Sequence, residues 1–570
     1  MGLSASAPWL AYYGTTPASL DYPHKTMYQL LAAAAKQYPD SPAYIFQGKQ
    51  TTYEAFMKRI EAAAKGLYHM GIRKGDRVTI CMANTPQALD CFYALNRIGA
   101  IPNMIHPLSA AGEIAFYLNF SKSKAILTLD QFYNKVAGIL PELENPVTVL
   151  IAKVADELPF PLNLLYPMTK GGRHPLPRKG YTLWYDMVAA GKNTELPPHS
   201  GKADDCAAIL YSGGTTGTTK GIMLSNLNFN ALGLQTIAAS GFETVAGMKM
   251  LSIMPVFHGF GLGIGIHTAL IGGATCILVP QFSVKVYSDT LLKHKPELIP
   301  GVPTLFEALL RAPDLENADL SFLKGIFSGG DSLPSELKKK VDAFLHEHGC
   351  TEQIREGYGT TECVTASCLT PKDYARSGSI GVPFPDTFYK IVAPGTTEEV
   401  PANTEGEICV SGPTVMLGYM DNPEETAATL RRHYDGRIWL HTGDLGHIDQ
   451  DGFIYFRLRM KRMIITNGYN VYPSQLENII DGHEKVLLSC VIGIKDAARG
   501  QKVKAYVVPM PGIEPNEELK QELLSYCADH IAKYAMPREL EFRTELPKTL
   551  VGKVAYRVLE EEANAALEDT

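Results

Sequence analysis

The sequence predicts an α/β protein with a large N-terminal domain of helix-covered sheets plus a small β-rich subdomain, followed by a small α+β C-terminal domain. Three observations support this fold class. Short apolar segments alternate with helical periodicity in the first half of the chain, as in parallel sheets covered by helices. After Thr387, short strand patterns separated by Gly and Pro dominate, and the C-terminal part mixes strand and helix patterns. A chain of 570 residues also exceeds one ordinary hydrophobic core.

The first two helices are predicted by capping boxes, in which Thr precedes Gln or Glu by three residues. Thr26 with Gln29 opens one helix, and Thr51 with Glu54 opens another that stops at Gly71. Because short apolar runs and helical periodicity then alternate, the chain predicts a parallel sheet. These later segments are Val78–Met82, Pro86–Ile98, Ala125–Leu129 and Val147–Ile151.

Two longer segments need separate interpretation. Phe160–Arg178 is rich in Pro and Gly and predicts a surface loop. Gly259–Val279 is long and apolar, so a membrane span is one interpretation. We favour a buried, pocket-lining helix followed by a strand, because the segment holds His267 and six glycines. The elements expected after these are Gly406–Gly412, Gly452–Phe456, Ser474–Ile480, Val486–Ile494, Val503–Val508 and Glu517–Ile531.

Composition argues against several classes of function. The formal net charge of −7 argues against nucleic acid as a partner. Ten cysteines are scattered without His partners at zinc-binding spacing, which predicts reduced thiols and a cytoplasmic location. The N-terminus lacks the basic and apolar pattern of a secretory signal, and we treat the short myristoylation pattern at Gly2 as chance.

The strongest local signal is a loop of small residues that follows the apolar segment Ala207–Tyr211. Its glycines can turn backbone N–H groups toward one point, and its hydroxyls and lysine add donors and charge, so it predicts a polyphosphate-binding loop. A Walker A motif is excluded, because Thr219 precedes the lysine and Gly221 follows it. The residues expected to bind phosphate are Ser212, Gly213, Gly214, Thr215, Thr216, Gly217, Thr218, Thr219 and Lys220.

Two further motifs carry carboxylates. Tyr358–Glu362 reads YGTTE, and Glu362 is a candidate Mg²⁺ ligand because Mg²⁺ prefers oxygen donors. Taken alone, this motif is also typical of a turn at a strand end. Thr442–Asp444 reads TGD, in which Asp444 could accept hydrogen bonds from ribose hydroxyls. Taken alone, that motif is a common turn.

Basic and imidazole side chains supply the remaining candidates. Arg459 and Lys461 share one face of a predicted strand, which fits either a phosphate ligand or a charged edge strand. Lys553 follows a glycine near the C-terminus and could neutralise a developing negative charge, although a surface lysine is the simpler interpretation. His258 precedes a glycine-rich run and fits either a catalytic group or a core histidine.

In this order, the motifs resemble those of the adenylate-forming superfamily of acyl-CoA synthetases, luciferases and peptide-synthetase adenylation domains. The resemblance extends from about Thr26 to Arg557. It implies that the C-terminal domain is mobile, with domains at 1–459 and 460–570, and that Lys553 is catalytic. The other family motifs fall on Ser212–Gly221, Tyr358–Glu362, Thr442–Asp444, Leu458–Lys461 and Gly552–Lys553.

The resemblance also implies roles for individual residues. Phosphates of ATP would lie on the small-residue loop, Glu362 would hold Mg²⁺, Lys461 would be the hinge, and His258 and Lys553 would act on the carboxylate. Thiol entry would involve Gly468 and Tyr469. The nucleotide would contact Gly330, Asp331, Gly357, Tyr358, Gly359, Thr360, Thr361, Asp444 and Arg459.

The implied activity is ATP-dependent conversion of a carboxylic acid to acyl-AMP and pyrophosphate, then transfer to the thiol of coenzyme A. We expect a medium- to long-chain fatty acid, with an aryl acid or a carrier-protein acceptor as alternatives. A lipophilic substrate is also compatible with peripheral contact between the protein and a membrane. A homodimer is compatible with the family resemblance. Gly259, Gly261, Gly263 and Gly265 indicate either space for the acyl group or close helix packing.

Three positions depart from the family pattern. Leu458 stands where the hinge motif has glycine, Arg462 stands where an acid is usual, and Thr219 stands where proline is common. None of these changes removes a reactive group, so the mechanism that the resemblance implies is retained. Their effects would fall on the hinge and on thioester formation.

Overall fold

A computed structural model describes residues 3–169, 172–212, 219–459, 462–466, 469–496, 500–533, 535–549 and 553–568. Two large sheets form most of the part before residue 420, with helices packed between and around them. A mainly antiparallel sheet follows, and a fourth sheet belongs to the C-terminal part. The α/β architecture agrees with the fold class that the sequence predicts.

The first large sheet has a parallel centre and antiparallel ends. Its strands in spatial order are Val382–Pro383, Cys368–Leu369, Ile354–Tyr358, Gly325–Ser328, Leu298–Gly301, Lys249–Ser252, Thr275–Leu278, Pro42–Phe46 and Lys49–Thr52. Parallel strands end at the same sheet edge, so the loops after Ser252, Ser328 and Tyr358 lie on one side of the molecule. Those loops contain most of the candidate site residues.

The second large sheet is parallel except at one end, where the candidate phosphate loop joins two antiparallel strands. Its strands in spatial order are Gly418–Tyr419, Lys220–Ser225, Cys206–Ser212, Ile101–Met104, Arg77–Cys81, Ala125–Leu129, Thr148–Ala152 and Thr182–Leu183. The edge pairing of Tyr419 with Ile222 brings a distant segment beside the loop.

The remaining two sheets are smaller. Phe388–Val392, Gly406–Ser411, Ile438–Ile448, Leu430–Arg432 and Ile454–Arg459 form the β-rich subdomain. In the C-terminal part, the strands are Tyr469–Val471, Ile464–Thr466, Gly500–Pro509, Val486–Asp496 and Glu539–Phe542. The long hairpin of Val486–Asp496 and Gly500–Pro509 forms the centre of this last sheet.

Helices cover the sheets, and two of them are buried on nearly every side. Pro86–Ile98 and Asn226–Ser240 lie in the core that both large sheets share. A helix enclosed in this way needs apolar or hydrogen-bonded residues around its whole circumference. The other main helices are Met27–Gln37, Tyr53–His69, Ala111–Ser121, Tyr133–Ile139, Trp184–Ala190, Val284–His294, Pro303–Leu310, Ser335–Glu347, Pro423–Thr429, Pro473–Asp481, Glu517–His530 and Tyr556–Glu568.

The predicted helix starts are confirmed, with one correction. Thr26 and Gln29 form the expected capping box. The second helix is capped by Thr52 and not by Thr51, because the helix begins at Tyr53 and Thr52 is the residue directly before it. The Thr52 side chain accepts a hydrogen bond from Ala55 N at 3.2 Å. Adjacent threonines made the choice of cap ambiguous in the sequence.

The long apolar segment Gly259–Val279 is a buried helix and strand, as we favoured. Phe260–Thr268 forms a π-helix, Ala269–Ile271 continues it, and Thr275–Leu278 is an inner strand of the first sheet. Within the ranges described above, no helix combines the length and apolarity needed to cross a bilayer. The predicted surface loop contains a short helix, Leu162–Leu165, and a 3₁₀ turn after it.

Candidate active site

The candidate phosphate loop joins two antiparallel strands at one end of the second sheet. Cys206–Ser212 pairs with Lys220–Ser225, and Ser212 lies opposite Lys220. The predicted strand before the loop is therefore present. Gly213–Thr218, which carry most of the predicted phosphate contacts, lie outside the described residues.

Lys220 and Glu362 are connected through Tyr419. The Lys220 ammonium forms an ion pair with Glu425 and lies 4.8 Å from the centre of the Tyr419 ring. The Tyr419 hydroxyl donates a hydrogen bond to Glu362 Oε1 at 3.0 Å. Glu362 itself lies in the short turn Thr361–Cys363. A cation suited to phosphate and a carboxylate suited to Mg²⁺ therefore contact the same tyrosine.

Asp444 lies at the centre of a second group. Its Oδ2 accepts a hydrogen bond from the Tyr358 hydroxyl at 2.6 Å, and its Oδ1 is 3.4 Å from Arg459 Nε. Burial raises the pKa of Asp444, while the Arg459 guanidinium and the Tyr358 hydroxyl favour the charged form. Three residues from separate predicted motifs thus meet around one carboxylate.

Lys553 reaches this group from the C-terminal part of the chain. Its Cε lies 3.7 Å from the position that a β-carbon on Gly330 would occupy. Burial lowers the pKa of the Lys553 ammonium, and the carboxylates of Asp331 and Asp444 oppose that shift. The Arg459 guanidinium adds to the lowering. A desolvated cation therefore lies beside the glycine turn and the carboxylates predicted to bind nucleotide.

Direct hydrogen bonds hold the C-terminal part in this position. Ser474 Oγ donates to the carbonyl oxygen of Arg457 at 2.8 Å. The backbone N–H of Ser335 donates to Asn478 Oδ1 at 2.9 Å. These contacts join the C-terminal part to the preceding part of the chain, in the arrangement in which Lys553 faces the site.

His258 lies at the start of the π-helix. Its Nδ1 accepts a hydrogen bond from the backbone N–H of Phe260 at 3.2 Å. Burial, with a smaller contribution from the Lys553 charge, lowers the pKa of His258 to about 3. The imidazole is therefore neutral near pH 7, and its proton resides on Nε2, which is a donor. A neutral donor can bind a carboxylate oxygen without protonating it.

The turn that carries Glu362 is pressed against the π-helix. Val364 adopts a φ of 65°, which is rare for a β-branched residue and marks backbone strain. A β-carbon on Gly259 would lie 1.7 Å from the carbonyl oxygen of Val364. One on Gly359 would lie 2.1 Å from the carbonyl oxygen of Thr365. The two glycines therefore permit the approach that positions this turn.

An apolar cavity of about 50 Å³ adjoins the site. It reaches Ser328, Gly329, Gly330 and Gly357, and the sequence predicts that Gly330 and Gly357 contact the nucleotide. No charged side chain among the described residues lines it. Its apolar wall includes Ile237, Val245, Met250, Phe260, Ile264 and Phe327.

The neighbours of the glycines between residues 259 and 265 indicate that these residues allow close helix packing. They do not indicate that the glycines open space for the acyl group. A β-carbon on Gly261 would lie 2.1 Å from the carbonyl oxygen of Pro255, and one on Gly263 would lie 2.7 Å from Leu232 Cδ2. Only Gly265 has room, since its nearest neighbour would be 3.8 Å away. In the described part of this run, the cavity is lined by the large residues and not by these glycines.

The hinge region is described only in part. Lys461 and Gly468 lie outside the described residues, and Tyr469 is described only as the start of a short strand. Arg462 forms an ion pair with Glu477, and its guanidinium lies 4.9 Å from the centre of the Tyr556 ring. The arginine at this unusual position therefore has an acidic partner within the C-terminal part.

The sequence did not identify Glu425 as a site residue. Its carboxylate pairs with Lys220, whereas its place in the first turn of Pro423–Thr429 is explained by helix capping alone. Glu407 was missed for a similar reason. It accepts hydrogen bonds from His441 Nδ1 at 2.9 Å and from the backbone N–H of Gly443 at 3.1 Å. Both contacts depend on long-range pairing, which local motifs do not encode.

Two family models match this chain. The model described as AMP-binding enzyme matches residues 31–420, and the model described as AMP-binding enzyme C-terminal domain matches residues 475–553. The chain belongs to the AMP-binding enzyme family. This membership confirms the resemblance to adenylate-forming enzymes that the motifs indicated.

Full-length relatives share this architecture. This AMP-binding enzyme is 36% identical to a long-chain-fatty-acid–CoA ligase of Bacillus subtilis over 98% of the chain and 99% of the relative. It is 30% identical to the ligase of the same name from Salmonella typhimurium over 98% and 99% of the two chains. Both alignments include the C-terminal part that carries Lys553.

Solved structures agree with the fold. The structure of ATP-bound MatB from Rhodopseudomonas palustris aligns with a TM-score of 0.79 at 27% identity, covering 94% of this chain and 99% of that one. The anthranilate CoA ligase AuaEII in complex with anthranoyl-AMP aligns with a TM-score of 0.83 over 96% and 99% of the two chains. At 24% identity, the second likeness establishes the fold alone.

Proposed function

We propose that this AMP-binding enzyme activates a long-chain fatty acid with ATP and transfers the acyl group to coenzyme A. The observation that carries the proposal is the position of Lys553, half-buried beside Gly330 where the apolar cavity adjoins the predicted nucleotide motifs. Relatives that are named long-chain-fatty-acid–CoA ligases and aligned over nearly the whole chain support the choice of acid and acceptor.

In the first step, a carboxylate oxygen attacks the α-phosphorus of ATP, and the bond to pyrophosphate breaks. The Lys553 ammonium stabilises the negative charge that gathers between these groups, and neutral His258 donates to the carboxylate. Asp444 orients the ribose, and Lys220 faces the departing pyrophosphate. The carboxylate of Glu362 fits Mg²⁺, which when bound neutralises phosphate charge.

In the second step, the sulfur of coenzyme A attacks the acyl carbonyl, and AMP leaves. We propose that residues 1–459 and residues 460–570 form separate domains and that the second domain turns between the two steps. The sheets on either side of this boundary support the proposal, since one ends at Arg459 and the next begins at Ile464. The ion pair with Glu477 attaches Arg462 to the domain that turns.

The acid specificity of the site is tested with a panel of carboxylic acids. We expect pyrophosphate release to require an acid, to be fastest with long-chain acids, and to be coupled to consumption of coenzyme A. Release without thiol consumption would indicate carrier-protein loading. Fast release with aryl acids alone would contradict the fatty-acid assignment, and release with no acid at all would contradict acid activation.

Substitution of Ile264 by Phe is expected to shorten the preferred acid. Ile264 lines the cavity, so a larger side chain takes volume from the end of a long chain more than from a short one. We expect kcat/KM for palmitate to fall by about 10-fold or more relative to octanoate. Both acids are measured on the same variant, so the ratio of the two kcat/KM values does not depend on how much of the variant is folded. An equal loss for both acids would contradict the placement of the acyl chain.

We also propose that the chain contacts membranes peripherally through an exposed apolar segment, the 160–168 patch. This segment contains a short helix whose large side chains face solvent instead of the core. Phe160 is 78% exposed, Leu164 is 62% exposed and Met168 is 79% exposed. Leu162 and Leu165 are also exposed. Contiguous apolar side chains of this kind mark interaction surfaces.

Charge indicates an anionic lipid surface as the partner of this patch. No Asp or Glu occurs between Leu158 and Tyr185, although the whole chain carries a net charge of −7. Arg173, Arg178 and Lys179 are exposed in the segment that follows the patch. Apolar side chains next to basic ones favour binding to anionic bilayers.

The membrane proposal is tested by vesicle sedimentation of the full chain. The triple variant F160S/L164S/M168S is expected to bind phosphatidylglycerol-containing vesicles about 10-fold more weakly than the wild type while retaining its activity on octanoate. The control L108S/F282S replaces exposed apolar residues elsewhere and should bind normally. Equal binding by all three proteins would contradict the assignment of the patch. The homodimer and the cytoplasmic location stay predictions.

A further inference from the structure

A buried group of soft and borderline metal ligands lies in the β-rich subdomain. Cys409 lies opposite His441 in the pairing of Gly406–Ser411 with Ile438–Ile448. His433 follows the adjoining strand and turns toward the same place. One potential ligand atom from each residue lies within 4.8 Å of the others, and all three side chains are buried. Their sequence separations match no zinc motif, which is why the cysteine pattern did not reveal them.

The hydrogen bonds of the two imidazoles are incomplete. His441 Nδ1 donates to Glu407 Oε2 at 2.9 Å, so the lone pair of neutral His441 is on Nε2. That atom accepts a hydrogen bond from His433 Nε2 at 3.0 Å. His433 is 4% exposed, and its Nδ1 has no hydrogen-bond partner among the residues that the structure describes. The two Nε2 atoms face each other, so these are the imidazole nitrogens that an ion between the rings would bind.

The geometry fits a small tetrahedral ion. Two nitrogens bound at ~2.0–2.1 Å to such an ion are about 3.3 Å apart, which is close to the separation of the two Nε2 atoms. The carboxylate of Glu407 stands behind His441, in the position from which carboxylates orient metal-binding imidazoles. Cysteine thiolate and histidine nitrogen are donors that Zn²⁺ sites in proteins use.

Two cations, Lys390 and Arg431, lie near the group, and the carboxylates of Asp435 and Glu407 offset their charges. Lys390 lies opposite Cys409 on the next strand and is fully buried. Its ammonium is 3.0 Å from a carboxylate oxygen of Asp435 and lies 4.3 Å from the centre of the Trp439 ring. The Lys390 ammonium is therefore already paired with the Asp435 carboxylate. Metal binding would also convert the Cys409 thiol to a thiolate and release its proton, which adds one negative charge.

We propose that Cys409, His433 and His441 form a Zn²⁺ site that braces the nucleotide-binding strand. The connection passes through Glu407, whose second oxygen accepts the backbone N–H of Gly443 at 3.1 Å. Asp444, at the centre of the candidate active site, is the next residue. An ion on His441 would hold the strand and the turn that orient this carboxylate. This role is separate from that of Mg²⁺ at Glu362.

The site is tested first with Co²⁺ as a spectroscopic probe of the full-length protein. We expect one Co²⁺ per chain to give a thiolate-to-cobalt charge-transfer band that Zn²⁺ abolishes by displacement. The band should be lost in C409S and retained in C350S, which replaces a buried cysteine in the first large sheet region. Absence of the band in the wild type, or its persistence in folded C409S, would overturn the proposal.

A second variant makes the test independent of the cysteine. H433Q is expected to lower Zn²⁺ affinity by at least about 10-fold and to remove the rise in thermal midpoint that Zn²⁺ gives the wild type. These titrations are made with Mg²⁺ held constant, so that occupancy of the nucleotide site does not change. An equal Zn²⁺ affinity and thermal shift in H433Q and wild type would show that His433 is not a ligand and would overturn the site.

Discussion

Replacing Lys553 with alanine is expected to abolish adenylation while sparing thioester formation from a preformed acyl adenylate. The ammonium lies beside Gly330 and within the field of Asp331 and Asp444, where negative charge develops in the first step. Removing one such group from a desolvated site costs about 10²–10³-fold in rate. Single-turnover formation of acyl-AMP measures the first half, and addition of coenzyme A to purified acyl-AMP measures the second.

Two further variants control this prediction. Lys548 is exposed on the same C-terminal segment, so K548A should keep both half-reactions within a few-fold of wild type. K553R retains the charge and should recover part of the adenylation. Because burial lowers the pKa of Lys553, wild-type adenylation should fall as pH rises through that pKa, and K553R should extend activity to higher pH. Equal loss of both half-reactions in K553A would contradict the assigned role.

Substituting Glu362 by Gln is expected to produce the second large effect, through loss of Mg²⁺ affinity. The amide can still accept the hydrogen bond from Tyr419 but no longer offers a negative charge to the ion. We expect the Mg²⁺ concentration that gives half-maximal adenylation to rise, and the rate at saturating Mg²⁺ to fall by about 10²-fold or more. Pyrophosphate release measured against Mg²⁺ concentration tests both.

The matched control for Glu362 is Tyr419→Phe. This change removes the hydroxyl that donates to Glu362 but leaves the carboxylate in place. Loss of one such hydrogen bond costs about 0.5–1.5 kcal/mol, so the effect should not exceed about 10-fold. A Mg²⁺ dependence in E362Q that matches wild type would contradict the metal-binding role, as would a larger effect in Y419F than in E362Q.

Local features of the fold could be predicted from the sequence because the signals are local. The capping box of Thr26 and Gln29 needs only one helical turn, and the strand and helix periodicities need only a few residues more. The helix Pro86–Ile98 and the strand Ala125–Leu129 have the predicted bounds. Adjacent Thr51 and Thr52 show the limit, since either residue could cap the next helix.

The candidate site required long-range information. Through the family resemblance, the order of the motifs predicted that Lys220, Glu362 and Asp444 belong to one site. It did not predict which side chains contact one another. The Tyr419 bridge exists because a short edge strand returns beside the phosphate loop nearly two hundred residues later. Glycines at 259–263 could not be assigned to packing or to a channel until their neighbours were known.

This enzyme activates its acid by forming an acyl adenylate. The most direct test mixes the enzyme with ATP, Mg²⁺ and palmitate in the absence of coenzyme A, then quenches the reaction and separates the nucleotides and acyl products. We predict enzyme-bound palmitoyl-AMP together with pyrophosphate, and conversion of that adenylate to palmitoyl-CoA when coenzyme A is added before the quench. Formation of ADP and inorganic phosphate, with no acyl-AMP, would contradict the account.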